Sequence, residues 1–349
     1  MQGLPVHVGG RGIAAAAALR ALQTRGIGVT ADMPDPDPRP RAPLVLLGDA
    51  ARALLGDVFA GHAPLSDLLS QAHRIERRIV RWGDRETGVF AHSGLVVAGD
   101  RLGATLWSGA AEIPARPSDR FELTAHGGKG LASRRFGERQ AASAPVVLRP
   151  GADDRAAYVE ALDQGWAFLV PTGGGQGWIL TVGADPAEAI AAGTLTASVV
   201  AETGPVAARF ETAPRLADPP LAAHGLVLGS AALAFDPICG DGTATAVRGA
   251  LLAAAVAAAM AGADRPELDP AVDQADLTTH YRLMLIAAMR RHVSSAHPFY
   301  AAGGEGPWWR RQTDALADGH AWCTAQLAEA GEARFVLAGD RLVRRDVIA

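Results

Sequence analysis

Two glycine-rich turns, far apart in the chain, carry residue types and spacings suited to a phosphorylated cofactor. The first is Gly10-x-Gly12-x-x-Ala15, followed downstream by Asp32. Gly10 permits a tight turn, Gly12 has no side chain to hold a pyrophosphate away from the backbone, and Ala15 is small enough for close helix–strand packing. A helix that starts here offers free N–H groups and the positive end of its dipole to phosphate oxygens. Asp32 lies about 20 residues past the glycines, where an acid takes ribose hydroxyls. The second turn lies in residues 226–246, LVLGSAALAFDPICGDGTATA, where Gly240-x-Gly242 precedes a helix-forming run.

The elements that must position these turns follow from the pattern. Residues 6–8 read as a buried strand, 13–25 as an Ala/Leu-rich helix and 28–32 as a second strand, together a β-α-β unit. Residues 34–43, PDPDPRPRAP, cannot be helix or central strand and form a loop. Residues 74–81 read as helix or strand, and 88–106 as two strands followed by a helix from Asp100. Residues 121–125 form a strand ending in the glycine turn 126–130. Residues 166–182 alternate about Gly173-Gly174-Gly175 and read as a β-hairpin. Residues 194–201 suit helix or strand. Long helices are expected from Thr243, over 277–292 and over 315–330, and there is no internal repeat.

Composition narrows the class. The chain has 349 residues, 49% hydrophobic and 20% charged, enough for a large core and unlike a disordered chain. A net charge of −4 gives no basic field for nucleic acid. Two cysteines, Cys239 and Cys323, make no disulfide framework, which points to a reduced cytoplasm. The glycines after Val6 interrupt any long apolar stretch, so no signal peptide is expected. The apolar run 244–263 contains Arg248 and is mostly alanine, which favours a buried helix over a membrane span. Asp314 and His320 have no neighbours at metal-ligand spacing, and no metal site is expected.

The second turn resembles the C-terminal flavin motif of the FAD-dependent monooxygenase superfamily, which includes aromatic hydroxylases, flavin-dependent halogenases and geranylgeranyl reductases. Gly229, Asp236, Pro237, Gly240, Gly242 and Thr243 match, while Ser230 stands where the family has aspartate. Residues 121–137, FELTAHGGKGLASRRFG, resemble the strand and turn that closes over the FAD, with Thr124 near the place of the usual acid. The resemblance implies an α/β fold: a Rossmann-type FAD-binding domain with an inserted mixed β-sheet substrate domain and C-terminal helices. The implied divisions are 1–75, 92–142 and 220–265 for the FAD domain, 76–91 and 143–219 for the substrate domain, and 266–349 for the helical region. FAD is then held by Gly10, Gly12, Ala15 and Asp32 together with Gly229, Ser230, Asp236, Pro237, Gly240, Gly242 and Thr243.

Residues 165–171, GWAFLVP, resemble the W-x-W-x-I-P strand of flavin-dependent halogenases and their relatives, which places Trp166, Phe168 and Pro171 along the passage from flavin to substrate. Halogenases also need a lysine, and the sole lysine, Lys129, lies in the turn closing over the FAD. The segment 291–309 is similar to the C-terminal region of maturases that hydroxylate a partner's tryptophan in tryptophylquinone biogenesis, a resemblance that implies Trp308 and Trp309 line the substrate site. The implied activity is hydroxylation of an aromatic ring through a flavin C4a-hydroperoxide. O2 is the oxidant, NAD(P)H or a reduced-flavin donor supplies electrons, and the partner is a peptide or protein carrying tryptophan. His297 and Cys239 are the candidates for a direct catalytic part, the first beside the substrate ring and the second beside the flavin. Two other readings are a geranylgeranyl-reductase-like flavoprotein and a scaffold that kept the fold but lost FAD, the second motivated by Ser230 and Thr124.

Overall fold

The structure is a computed structural model that describes residues 5–32, 43–108, 120–125, 131–261, 274–331 and 334–345. Its first elements are β1 (Val6–Gly9), α1 (Ile13–Thr24), β2 (Val29–Asp32), β3 (Leu44–Gly48), α2 (Asp49–Val58) and α3 (Ala63–Ser70). There follow β4 (His73–Arg81), β5 (Gly88–Ala98), α4 (Gly99–Trp107), β6 (Phe121–Thr124), β7 (Ser133–Arg135), β8 (Gln140–Leu148), β9 (Ala156–Leu162), β10 (Gly165–Gly173) and β11 (Gln176–Val182). The middle of the chain adds α5 (Pro186–Ala192), α6 (Leu195–Val199), β12 (Val200–Thr203), β13 (Ala208–Glu211), β14 (Arg215–Ala217), β15 (Leu221–Ala222), β16 (Gly225–Val227), α7 (Gly229–Ala232) and β17 (Leu233–Ala234). After a 3-10 turn at Pro237–Cys239 come α8 (Gly242–Met260), α9 (Gln274–Ala301), α10 (Pro307–Ala330), β18 (Phe335–Ala338) and β19 (Arg341–Arg344).

Two sheets carry the molecule. The first has five strands in the order β15-β16-β6-β1-β2, with β16, β6, β1 and β2 parallel. Crossing from β1 to β2 through α1 makes this sheet the Rossmann-type half expected from the glycine turn. Seven alanines and leucines of α1, Ala14 to Ala18 with Leu19 and Leu22, are buried, because small side chains let α1 lie close to both the sheet and α8. Helix α8 has the length and hydropathy of a membrane span, and 56% of that stretch is buried inside the protein.

The second sheet has nine strands in the order β12-β8-β11-β10-β9-β4-β5-β3, with β13 also on β8. Its register answers the ambiguous stretches. Residues 73–81 are strand, and 88–98 form one continuous strand rather than two, with a register shift opposite Ile75 and Arg77. Residues 194–201 are both, a short helix running into a strand. The hairpin about Gly173–Gly175 forms as expected, with Val170 opposite Trp178 and Phe168 opposite Leu180. The expected domain limits cut this sheet: β3 and the whole of β5 bond into it, because β4 and β5 are one hairpin and β3 pairs along β5. Residues 44–48 and 92–98 therefore belong by hydrogen bonding to the nine-stranded sheet.

The C-terminal helices are longer than expected. Helix α9 continues past residue 292 to Ala301 with Pro298 inside it, and α10 begins at Pro307, where a first-turn proline needs no N–H partner. The two pack together over a second core containing Trp82, Trp166, Met289, Tyr300, Trp308 and Trp309.

At the centre of that core lies an ion pair with both side chains fully buried. Arg139 Nη1 donates to Asp236 Oδ2 at 2.9 Å. The Tyr300 hydroxyl donates to the same oxygen at 2.7 Å, and the Ile238 N–H donates to Oδ1 at 2.9 Å. Arg139 also lies 4.4 Å above the Tyr300 ring and donates to the Gln312 carbonyl. Removing one partner strands the other charge in an apolar core, so Asp236→Ala is expected to lower unfolding stability by about 3–5 kcal/mol. Urea denaturation measures this; a loss under about 1 kcal/mol would mean that Arg139 reaches water when its partner is gone.

Candidate functional site

The glycine turns sit where the two sheets meet. Gly10 has φ +133°, and a Cβ there would stand 2.7 Å from the Ala125 Cβ, so the turn admits no side chain. Ala15 packs beneath it. Gly12 caps α1 without a side-chain hydrogen bond, and among the described residues a Cβ on it would meet nothing within 4 Å. No described side chain thus crowds the α1 N-terminus, as a pyrophosphate cradle requires. Asp32 ends β2 and contacts buried His7, whose Nε2 lies 3.2 Å from Asp32 Oδ2 and whose Nδ1 lies 2.9 Å from Thr30 Oγ1. The imidazole orients the carboxylate from inside the sheet.

Gly229 follows β16 with φ +61° and lies against α1, where a Cβ would approach the Ala14 Cβ to 2.9 Å. That contact brings the second glycine segment to the first. Ser230 is exposed at the start of α7. Gly240 adopts the left-handed conformation that ends the 3-10 turn, and α8 starts after Asp241 with no side-chain cap. A Cβ on Gly242 would meet nothing within 4 Å. Two uncapped helix N-termini, each opened by a glycine with free space before it, fit the phosphate end and the ring end of a dinucleotide such as FAD.

Between this segment and the nine-stranded sheet lies a cavity of about 400 Å3. The sheet contributes Phe168, Val170, Trp178 and Leu180, the segment from α7 to Pro237 contributes Gly229, Ser230 and Phe235, the start of α8 contributes Gly242 and Thr243 after Gly240, and β3 closes one side with Leu44 to Leu46. Of the expected site residues it gathers Phe168, Gly229, Ser230, Asp236, Pro237, Gly240, Gly242 and Thr243. Trp178 and Leu180 were not anticipated, although the hairpin register places them beside Val170 and Phe168.

Other expectations are corrected. Trp166, Trp308 and Trp309 do not line the cavity; they are buried against one another in the second core, with Trp308 and Trp309 ring centres 4.9 Å apart. The Trp166 indole N–H donates to the Tyr300 hydroxyl, and that of Trp309 to the Leu162 carbonyl. Their large apolar area is spent on packing α9 and α10 onto the sheet. Pro171 sits buried at the register shift next to Gly173, away from the cavity lining. Asp236 borders the cavity, but its carboxylate faces the Arg139 pair, so it shapes the loop rather than offering an acid to a cofactor. Burial drives its pKa up against the pull of Arg139, Tyr300 and the Ile238 N–H. His297 is half-buried on α9 and outside the cavity lining. Cys239 packs beside the second core, and burial, with Asp236 and Asp241 nearby, pushes its thiol up to about 12, which keeps it in the weakly nucleophilic thiol form at pH 7. Lys129 and the rest of the turn 126–130 lie outside the described residues, as do residues 34–42.

His292, about one turn and a half before His297 on α9, has a fixed structural part. It stacks on Phe235 with ring centres 4.1 Å apart and accepts the Asp236 N–H at Nε2, 3.0 Å away. Burial and the Arg139 charge push it down to about 4, so it is neutral at pH 7.

The two parallel-sheet helices with open N-termini, joined to a nine-stranded sheet across an apolar cavity, define the fold of the FAD-dependent halogenases and monooxygenases. Solved structures share it over nearly the whole chain. The flavin-dependent halogenase CmlS matches with TM-score 0.71 and 15% identity, covering 92% of this chain and 70% of CmlS. QhpG, a peptidyl tryptophan dihydroxylase essential for tryptophylquinone cofactor biogenesis, matches with TM-score 0.67 and 20% identity, covering 89% and 79%. A Klebsiella pneumoniae HpxO variant complexed with FAD matches with TM-score 0.55 and 14% identity, covering 93% and 99%. No family model matches the sequence, and no curated protein matches it.

Two expectations follow from this geometry. Gly12 has extended backbone angles and open space around it, so Gly12→Val should fold normally yet lose FAD binding in a fluorescence titration. Flavin retention in that variant would make the turn structural only. Second, His292 and His280, both pushed down to about 4 mainly by burial, stay neutral in the folded protein, while the unfolded chain protonates them near 6.5. Their contribution to stability is full above that value and declines as pH falls from it towards about 4. The urea midpoint should therefore drop between about pH 7 and about pH 4.5, and His292→Gln should flatten the slope; a constant midpoint contradicts the assignment.

Proposed function

We propose that this chain binds FAD and is a monooxygenase that inserts oxygen into an aromatic ring, the indole of a tryptophan in a peptide or protein. The observation that carries this reading is the apolar cavity of about 400 Å3 between Phe168, Val170, Trp178 and Leu180 on one side and Gly240 and Gly242 on the other. Bound there, FAD would supply oxygen activation with electrons from NAD(P)H or a reduced-flavin donor. Gly10, Gly12, Ala15 and Asp32 would hold its adenosine and pyrophosphate. The open N-terminus of α8 would face the flavin ring, where N–H groups stabilise negative charge as it develops. Ser230, in place of an acid, donates or accepts a hydrogen bond without charge. The protein's own work is to exclude water, with an apolar lining, and to hold an aromatic ring in line with the cofactor.

The peptide substrate is supported by the likeness to QhpG, whose substrate is a peptidyl tryptophan. Halogenation, the activity of CmlS, is disfavoured by the single lysine of the chain.

FAD titration should give a dissociation constant below about 100 μM, equivalent to more than roughly 5.5 kcal/mol. With NAD(P)H or reduced flavin, O2 and a tryptophan-containing peptide, mass spectrometry should find the peptide heavier by one oxygen atom. A protein with no flavin absorbance after FAD supplementation and no NAD(P)H oxidation would remove the enzymatic reading.

A further inference from the structure

Strand β4 carries two adjacent arginines with opposite circumstances. Arg77 is paired, its Nε donating to Asp153 at 2.6 Å. Arg78, on the other face, makes no hydrogen bond or ion pair among the described residues, and its Nε is buried without a partner. Burial lowers its pKa, and no carboxylate opposes that effect. His92 supplies no counter-charge: its Nε2 is also buried without a partner, and burial, with Arg78 close by, lowers its pKa as well. A half-buried guanidinium without an acceptor is uncommon, since desolvating a charge is costly unless something repays it.

The sheet register shows which way Arg78 faces. Arg78 stands opposite Ala157, and Val80, two residues on, stands opposite Val159. Val159 pairs with Phe168, and Phe168 with Leu180. Directly paired residues share a face, so Arg78 is on the same face as Phe168 and Leu180, at the margin of the cavity and not among the residues that line it. Its Nη2 lies 3.3 Å from where a Cβ on Gly240 would stand. The guanidinium therefore reaches the turn just ahead of α8. Across the hairpin, Arg78 is opposite Phe90, whose side chain is exposed, so the position is also open towards solvent.

We propose that Arg78 is a binding residue for a negatively polarised oxygen that enters this cavity, either the carbonyl-bearing edge of the flavin or a carboxylate of the substrate. The inference rests on the FAD reading above. A guanidinium suits both ligands, because its planar fork donates two parallel N–H bonds and its charge persists when desolvated. Its strand, inside a nine-stranded sheet, holds it in place ahead of binding.

The test compares the full-length protein with Arg78→Gln and Arg78→Lys after FAD uptake has been measured in all three. Sulfite addition to oxidised flavin places a negative charge on the ring, and its affinity reads a nearby cation. Flavin absorbance changes on adding N-acetyltryptophan or N-acetyltryptophanamide read a preference for a carboxylate. Arg78→Gln should weaken sulfite binding, or abolish the preference for the acid over the amide, by about tenfold. Arg78→Lys should retain most of either effect. Loss of sulfite affinity assigns the flavin edge, and loss of the acid preference assigns a substrate carboxylate. The melting temperature should not fall in Arg78→Gln, because no hydrogen bond is removed. If Arg78→Gln takes up FAD and leaves both readouts within about twofold of the parent, the proposal is overturned while the flavin reading stands. A parent protein that takes up no FAD overturns both.

Discussion

The Arg139–Asp236 ion pair is the constraint on which the arrangement of this protein depends. Two charges with no exposure are costly unless their polar atoms find partners, and among the described residues all of theirs do except Arg139 Nε. Meeting that demand recruits almost every part of the structure around the cavity. Arg139 enters from the start of β8, Tyr300 and His292 from α9, and the Gln312 carbonyl from α10. Trp166 of β10 joins through the Tyr300 hydroxyl. The loop 235–242 is thus tied from behind to the sheet and both C-terminal helices, and its front is left to the cavity. The long C-terminal helices, which contribute little to the cavity wall, act on it through this network.

The cofactor side follows the opposite rule. There the decisive property is what is missing: side chains at Gly12 and Gly242, and capping groups at the N-termini of α1 and α8. Alanines along α1 bring that helix close to β1 and to α8, and the Gly229–Ala14 approach joins the two turns. Rigid support behind and open N–H groups in front are what the proposed reading asks of an anion site, which would then need no rearrangement when charge arrives. The cavity lies between those helix N-termini and a wide, apolar sheet face.

Aromatic residues divide between two tasks that composition does not separate. Phe168 and Trp178 line the cavity, whereas Trp82, Trp166, Trp308 and Trp309 fill the second core. Trp166 and Phe168 are on the same strand and the same face, two residues apart. One packs under α9 and α10, and the other stands beyond their cover. Their different roles arise from where the helices end, a property of packing and not of the strand.

What the sequence determined by itself is local. Glycine spacing, the Ala-rich helix and Asp32 specify a β-α-β unit because each acts through its own backbone or its near neighbours. The Gly173–Gly175 turn likewise sets the hairpin register, and with it the pairing of Phe168 with Leu180. The segment GSAALAFDPICGDG was legible as a strand, turn and helix start for the same reason. Only the tertiary structure decided what Asp236, Arg78 and the tryptophans do. Asp236 turns to Arg139, 97 residues away in the chain, and no local signal connects them. Arg77 and Arg78 are adjacent and chemically identical, yet one finds Asp153, and the other reaches the Gly240 turn with its Nε unpartnered among the described residues. Burial and long-range pairing set the role of a charge or a ring, and both come into being only when distant elements pack.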